Sequence, residues 1–310
     1  MPSFVAYLDI LGFSQFMRED SEAAEMLLHD YQLIFDNRIN DDRLHPAAEY
    51  SQDLRQIASI HSFDGVDYFL PFSDSVFIVG QDGDKLLKQI GSFVGQSFLL
   101  TANHYLNPKD RNDPTMGKLK IIDTRDSETT YCDFHYYPIM FRGGVAYGEC
   151  NPYQLKSKVD GTVSSTAVLS GKAVVKAVER ESLLKGPRIC FGKDVYDKLD
   201  RETKLYCKNI SGRYDLYELL WPALDIIDSN GPESEKENFV KYYHPVRNLW
   251  LGYKGKSVED HYLAFIGLII ESIIFFYDNK WGMGDFAKRF ISSCIKDVEL
   301  REAFGELLKI

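Results

Sequence analysis

The stretch from Phe4 to Ile10 is dense in β-branched and aromatic residues and is closed by Gly12, which predicts a strand buried on both faces. The chain therefore begins in its own core, and that strand carries one charge, Asp9. A second aspartate, Asp74, lies in Phe72-Ser73-Asp74-Ser75-Val76-Phe77. This is the polar tip of a hairpin predicted from the apolar runs Tyr68 to Leu70 and Val76 to Val79, with Gly65 and Gly80 at its outer ends. An ionised carboxylate in apolar surroundings is costly unless it is paired, solvated or bound to a cation. If the first strand lies beside the hairpin, the two carboxylates converge. They then offer the hard oxygens that Mg²⁺ or Mn²⁺ takes when substrate phosphates also hold the ion. Taken alone, each aspartate reads equally well as a turn former at a strand end.

Around these two residues the pattern alternates between strand and helix. Ser21 stands as an N-cap before an amphipathic helix through Met26, Leu27, Leu33, Ile34 and Phe35. Apolar spacing at Leu86, Ile90, Phe93, Val94 and Phe98 predicts a helix over 85–106, and 107–130 reads as a polar excursion interrupted by Leu119 to Ile122. A strand over 137–147 carries Arg142-Gly143-Gly144, and a helix over 171–184 opens at Ser170. Further strands are expected at 189–191, 206–210 and 216–220. The expected organisation is an α+β domain over 1–220, an acidic turn-rich linker over 221–238 and a helical extension over 239–310, with helices over 258–277 and 284–308.

Composition narrows the function classes. With 36 Lys plus Arg against 46 Asp plus Glu, the net charge of −10 argues against a surface that binds nucleic acid or anionic lipid by bulk charge, though a local basic pocket for one triphosphate remains open. Five cysteines with no Cys-x-x-Cys favour neither a disulfide framework nor a zinc site and fit a reducing cytoplasm. The N-terminus lacks a basic region ahead of its apolar run, so no signal peptide is expected. The apolar stretch from Tyr262 to Tyr277 contains Glu271 and is too short to span a membrane; it reads as a buried or dimer-face helix.

Leu8-Asp9-Ile10-Leu11-Gly12-Phe13 resembles the first strand of the class III nucleotidyl cyclases, Phe-x-Asp-Ile-x-Gly-Phe. The resemblance implies a ferredoxin-like palm with a mixed or antiparallel sheet and flanking helices. It implies two divalent ions per site, held by Asp9, Asp74 and the backbone carbonyl of Ile10. Ser73 replaces the glycine that usually precedes the second aspartate. Arg142-Gly143-Gly144-Val145-Ala146-Tyr147-Gly148 is similar to the family's Arg-x-Gly-x-x-x-Gly strand, which implies that Arg142 clamps the triphosphate. Lys208, nine residues before Tyr217-Glu218-Leu219, matches the family's phosphate-binding lysine. On their own, Arg142 reads as a structural ion pair and Lys208 as a surface residue.

The sequence departs from the family in two places. The helix after Gly171 carries Val175 and Glu179 where the family has its transition-state Asn and Arg, and Arg180 is one residue, about 100°, out of register as a substitute. The base-selecting positions are Leu70 and Val168, neither able to hydrogen-bond a purine edge, while Tyr68 on the same strand face could stack on a base or simply fill core. Asp9 to Phe13, Arg142 to Gly144 and Tyr147-Gly148-Glu149 also look similar to segments of the compact bacterial pyrimidine cyclases of the Pycsar antiphage system, within the same class III family. They imply conversion of UTP or CTP to the 3′,5′-cyclic monophosphate as a signal for a separate effector protein. They also imply a head-to-tail homodimer in which the partner supplies the lysine and helix residues. The alternatives are an inactive cyclase fold that senses nucleotide or acts as a scaffold, and an adenylate or guanylate cyclase with an atypical base pocket.

Overall fold

The computed structural model describes residues 1–44, 65–102, 118–123, 128–133, 137–159, 162–210, 212–213, 215–227 and 232–309. Strand β1 (Pro2–Ile10) is an interior strand of a mixed sheet. It is followed by α1 (Phe13–Glu19), α2 (Ser21–Leu44), the hairpin β2 (Tyr68–Phe72) and β3 (Ser75–Gly80), and α3 (Gly83–Ala102). The ribbon β4 (Lys118–Asp123) and β5 (Glu128–Asp133) leads to β6 (Phe141–Glu149). A second ribbon, β7 (Asn151–Val159) and β8 (Thr162–Ser170), precedes α4 (Lys172–Glu181). Then come β9 (Ile189–Gly192), α5 (Lys193–Tyr196), β10 (Cys207–Asn209) and β11 (Leu216–Leu219). Helices α6 (Pro222–Ile226), α7 (Pro232–Gly252), α8 (Glu259–Trp281), α9 (Gly284–Cys294), α10 (Val298–Ala303) and α11 (Gly305–Leu308) follow.

The fold is α+β. The seven-stranded sheet has the order β10-β11-β9-β6-β1-β3-β2. All its pairings are antiparallel except β6 with β9, where α4 makes the crossover that a parallel pair requires. Alternation along β1 sorts its side chains. Phe4, Ala6, Leu8 and Ile10 enter the main core, which also contains Phe93 and Phe98 of α3, Phe239 and Tyr242 of α7, and Phe265 and Ile269 of α8. Val5, Tyr7 and Asp9 face the other way, where α4 packs through Ala173 and Ala177, with Leu169 of β8 beside them, in a small second cluster. Among the described residues, one face of the sheet is thus closed by helices and the other is only partly covered.

Several boundaries differ from the sequence expectation. The first long helix is capped by Asp20, whose carboxylate accepts the Ala23 N–H at 3.0 Å, so Ser21 lies inside the helix. Helix α4 begins after Gly171 at φ 128°, a conformation that Ser170 could not supply as N-cap, and Ser170 ends β8 instead. The segment read as a linker contains α6, with Trp221, Ala223 and Ile226 fully buried, and the start of α7; residues 228–231 lie outside the described residues. The helix expected over 284–308 is three short helices, α9 to α11. Residues 103–106 of the helix expected after 85, and 107–117 and 124–127 of the excursion, lie outside the described residues. By length and composition α8 is the one described helix that could cross a membrane, but most of it is buried in the chain's core. Cys150, Cys190 and Cys207 are buried free thiols, and burial pushes Cys190 and Cys207 up to about 12.

Candidate active site

Register brings the two aspartates together. Asp9 lies opposite Ser75, the residue after Asp74, and the Ile10 N–H donates to the Asp74 carbonyl at 3.0 Å, so the β1 end and the hairpin tip are joined. The tip is a two-residue turn in which Ser73 adopts φ 56°, the left-handed region that favours glycine. Ser75 Oγ donates to Asp9 Oδ1 at 2.9 Å, and its acceptor side lies 2.9 Å from the Tyr7 hydroxyl, completing a short relay on the open face. Burial first, and then the charge of Asp74, raise the Asp9 carboxyl above the ordinary range, despite the opposing pulls of Ser75 and Arg142. Asp9 is therefore a partly buried carboxylate whose burial disfavours its charge more than Ser75 and Arg142 favour it.

On the other side of β1, Arg142 lies directly opposite Asp9 in the β1–β6 pairing. Its Nη2 donates to Asp9 Oδ2 at 3.2 Å, and its Nε pairs with Glu181 in the last turn of α4. Glu181 is 8% exposed and its carboxyl is raised, by burial first, with Arg142 opposing and Asp9 adding to the rise. The sequence reading missed Glu181. The available signal was its spacing: Ala173, Ala177 and Glu181 recur every four residues, which places the glutamate on the helix's buried stripe.

Gly144 explains why α4 can lie so close. A Cβ there would come 2.0 Å from the Ala177 carbonyl oxygen and 2.7 Å from the Glu181 nitrogen, so the helix rests on bare backbone. Arg180, one residue before Glu181, points to a different group: it forms a two-pronged pair with Asp194 at 2.7 and 3.1 Å and donates to the Val145 carbonyl at 2.8 Å. Burial opposes ionisation of Asp194, yet Arg180 and the Tyr147 N–H outweigh it and hold the carboxyl below its usual range. In this chain Arg180 clamps α4 to β6 and α5, a role different from the substrate contact expected of it. Val175 and Glu179, at the family's Asn and Arg positions, are solvent-exposed.

The other expected substrate residues are dispersed. Tyr68 and Leu70 lie opposite Val79 and Phe77, on the same open sheet face as Tyr7 and Asp9; Tyr68 is exposed and Leu70 half-buried. Val168 lies opposite Tyr153 on the β7–β8 ribbon. Lys208 is on the far edge strand, with β11, β9 and β6 between it and β1. Its Nζ pairs with Glu271 of α8 at 2.9 Å and lies 4.9 Å from the centre of the Phe275 ring. Glu271 also binds Arg188 at 3.2 Å, and Arg188 binds the buried Glu218 at 2.7 Å, so this ionic cluster ties the sheet edge to α8. Within one chain, then, Asp9, Ile10, Asp74 and Arg142 come together, Tyr68 and Leu70 border them, and Lys208 does not reach them.

Among the described residues no three His, Cys, Asp or Glu side chains cluster as a complete metal cage. The donor set nevertheless suits Mg²⁺ or Mn²⁺, which need only one or two carboxylates when phosphates and water complete the shell. The two acidic side chains at the joined strand ends, with Asp9 raised by burial and by its neighbour's charge, are the groups a hard cation would stabilise.

No family model matches the sequence, and no curated protein matches it. Among solved structures, the chain is similar to a dimeric guanylyl cyclase domain of the RhoGC fusion protein from the aquatic fungus Blastocladiella emersonii, at TM-score 0.41 and 15% identity over 71% of this chain and 96% of that one. It is similar to an adenylate cyclase from Trypanosoma brucei in its monomeric state, at TM-score 0.40 and 11% identity over 70% and 87% of the two chains. It is also similar to the adenylyl cyclase CyaB from P. aeruginosa, at TM-score 0.38 and 15% identity over 74% and 94%. At these identities and scores the likeness does not extend to substrate.

Proposed function

We propose that the chain is a nucleotidyl cyclase that converts a pyrimidine nucleoside triphosphate, UTP or CTP, to its 3′,5′-cyclic monophosphate and diphosphate. The observation that carries this reading is the junction of Asp9 and Asp74 at adjoining strand ends, with Arg142 directly across from Asp9. In the reaction the ribose 3′-oxygen bonds to the α-phosphorus as its proton leaves, and the bond from that phosphorus to the diphosphate oxygen breaks. Asp9 and Asp74 would hold Mg²⁺ or Mn²⁺, which would ease loss of the hydroxyl proton and neutralise charge on the departing diphosphate. Arg142 would orient the triphosphate through its guanidinium fork. The open sheet face admits substrate, and apolar Leu70 beside exposed Tyr68 supports a base held by stacking rather than by a purine-specific edge.

A head-to-tail homodimer belongs to the same proposal. It is supported by Val175 and Val178, 58% and 40% exposed on the outer face of α4, and by Phe72, 75% exposed beside the aspartates. In such a dimer Lys208 would serve the partner's triphosphate after leaving Glu271. The cyclic product would signal to a separate effector in antiphage defence. A second reading, an inactive nucleotide-sensing fold, is favoured by the engagement of Arg180 with Asp194 and by outward-facing Val175 and Glu179.

Incubating the purified chain with Mn²⁺ and each of the four ribonucleoside triphosphates, and resolving products by mass, tests the proposal. A cyclic pyrimidine monophosphate that disappears in Asp74→Ala supports it. A cyclic purine product assigns the purine alternative, and binding without turnover assigns the sensing fold.

A further inference from the structure

The geometry points to Glu181 as the positioning residue for Arg142, the group that makes Asp9 available to a cation. This inference rests on the reading of Asp9 and Asp74 as a cation site. The guanidinium of Arg142 is shared by two carboxylates: Nη2 and Nε reach Asp9 Oδ2 at 3.2 and 3.4 Å, and Nε also pairs with Glu181. The contact at Asp9 occupies the oxygen opposite the one that Ser75 holds, so both Asp9 oxygens already accept a donor. A cation arriving at Asp9 must compete with the arginine, whose positive charge then needs another carboxylate within reach. Glu181 is that carboxylate.

Its position is fixed by the backbone rather than by chance. Helix α4 is pressed onto Gly144 so closely that no side chain fits between them, and Arg180 locks the same helical turn to Asp194 and the Val145 carbonyl. The glutamate therefore cannot withdraw with a loose helix end. Glu181 is buried, so its side chain has little solvent to turn to, and Arg142 is its one ion-pair partner among the described residues. As the cation binds, Arg142 gives up Asp9, stays anchored by Nε to Glu181, and keeps its outer nitrogens for phosphate oxygens.

The test is Mn²⁺ binding to the full-length chain without nucleotide, followed by electron paramagnetic resonance or titration calorimetry. Glu181→Gln keeps the shape and an oxygen acceptor but removes the charge, and is expected to weaken Mn²⁺ binding by roughly 10- to 100-fold, as loss of outer-shell partners does in other metal sites. Glu181→Asp, which keeps the charge on a shorter arm, is expected to fall between, and carries the measurement if the glutamine variant folds poorly. In an Arg142→Ala background the same Glu181→Gln change is expected to have no further effect, because the role acts through the arginine. Equal Mn²⁺ affinity in Glu181→Gln and the parent overturns the inference, as does an undiminished loss in the Arg142→Ala background. Parent protein that binds no Mn²⁺, or binds it equally well in Asp74→Ala, overturns the cation-site reading itself.

Discussion

Gly144→Ala is the sharpest single test of how this site is built. The added methyl would stand 2.0 Å from the Ala177 carbonyl oxygen, 2.7 Å from the Arg180 Cβ and 2.7 Å from the Glu181 nitrogen. Two of these three atoms are backbone, so no side-chain rotation relieves the clash, and α4 must move away from the sheet by more than about 1 Å to restore ordinary contact. Overpacking of this kind costs about 1–3 kcal/mol, and the backbone contact places this case at the upper end. For a chain of this length a loss of about 3 kcal/mol lowers the melting temperature by roughly 5 °C. The displacement also carries Glu181 away from Arg142, and misplacement on this scale costs on the order of 100-fold in rate. Calorimetric melting together with nucleotide turnover reads both effects. Gly252→Ala serves as control, since a Cβ there meets nothing within 4 Å, and its stability is expected to stay within about 0.5 kcal/mol of the parent. A Gly144→Ala protein with the parent's melting temperature would refute the claim that α4 rests on bare backbone.

Ser73→Gly removes the cost of a left-handed serine at the hairpin tip and is expected to stabilise the chain by about 1 kcal/mol in urea denaturation, whereas Ser73→Val is expected to destabilise it. Asp194→Asn tests the Arg180 clamp by its pH dependence. The folded carboxyl titrates below its unfolded value of 3.8, so its stabilisation is present above that pH and is lost as pH falls through the folded value; the stability gap between parent and variant is expected to be full near pH 7 and to close in acid. A gap that persists unchanged at pH 2 would assign the loss to packing instead. Glu271→Gln leaves Lys208 without its carboxylate and Arg188 with Glu218 alone, and is expected to cost about 1.5–3 kcal/mol by thermal unfolding.

The halves of the site differed in how plainly the sequence announced them. Asp9 and Asp74 stood out because each interrupts an apolar strand, and strand alternation together with hairpin register is enough to bring them to one place. Arg142 was legible only through the resemblance of its strand, because the pairing of β6 with β1 that sets it opposite Asp9 is a long-range register that local sequence does not encode. Glu181 did not stand out, because an acidic residue near a helix end ordinarily faces water, and only contact with Gly144 turns that helix face inward. Arg180 drew attention as a substitute for a missing arginine, yet its partner Asp194 comes from a separate helix after β9, a pairing that no local spacing encodes. The β7–β8 ribbon went unread for a related reason: side chains 151–156 all project into solvent, so this strand lacks the one-sided burial that makes a strand legible. The linker expectation failed because Pro222 and Asp225 also suit a short helix that begins with proline, and burial of Trp221 decides between the two.

The ionic cluster joining Arg188 and Glu218 of the sheet region to Glu271 of α8 has a consequence for how the molecule comes apart. Helices α7 and α8 share one apolar core with β1, α3 and β9, and the cluster places charges across the seam between them. Peeling the C-terminal helices away would strand a nearly inaccessible carboxylate and expose Phe98, Trp221 and Phe265 together, so partial opening along this seam is expensive. The two regions are therefore expected to unfold as one cooperative unit, with amides of α8 exchanging at the same rate as those of β1. A disturbance at the helical end would then be felt at β1, on the far side of the same core.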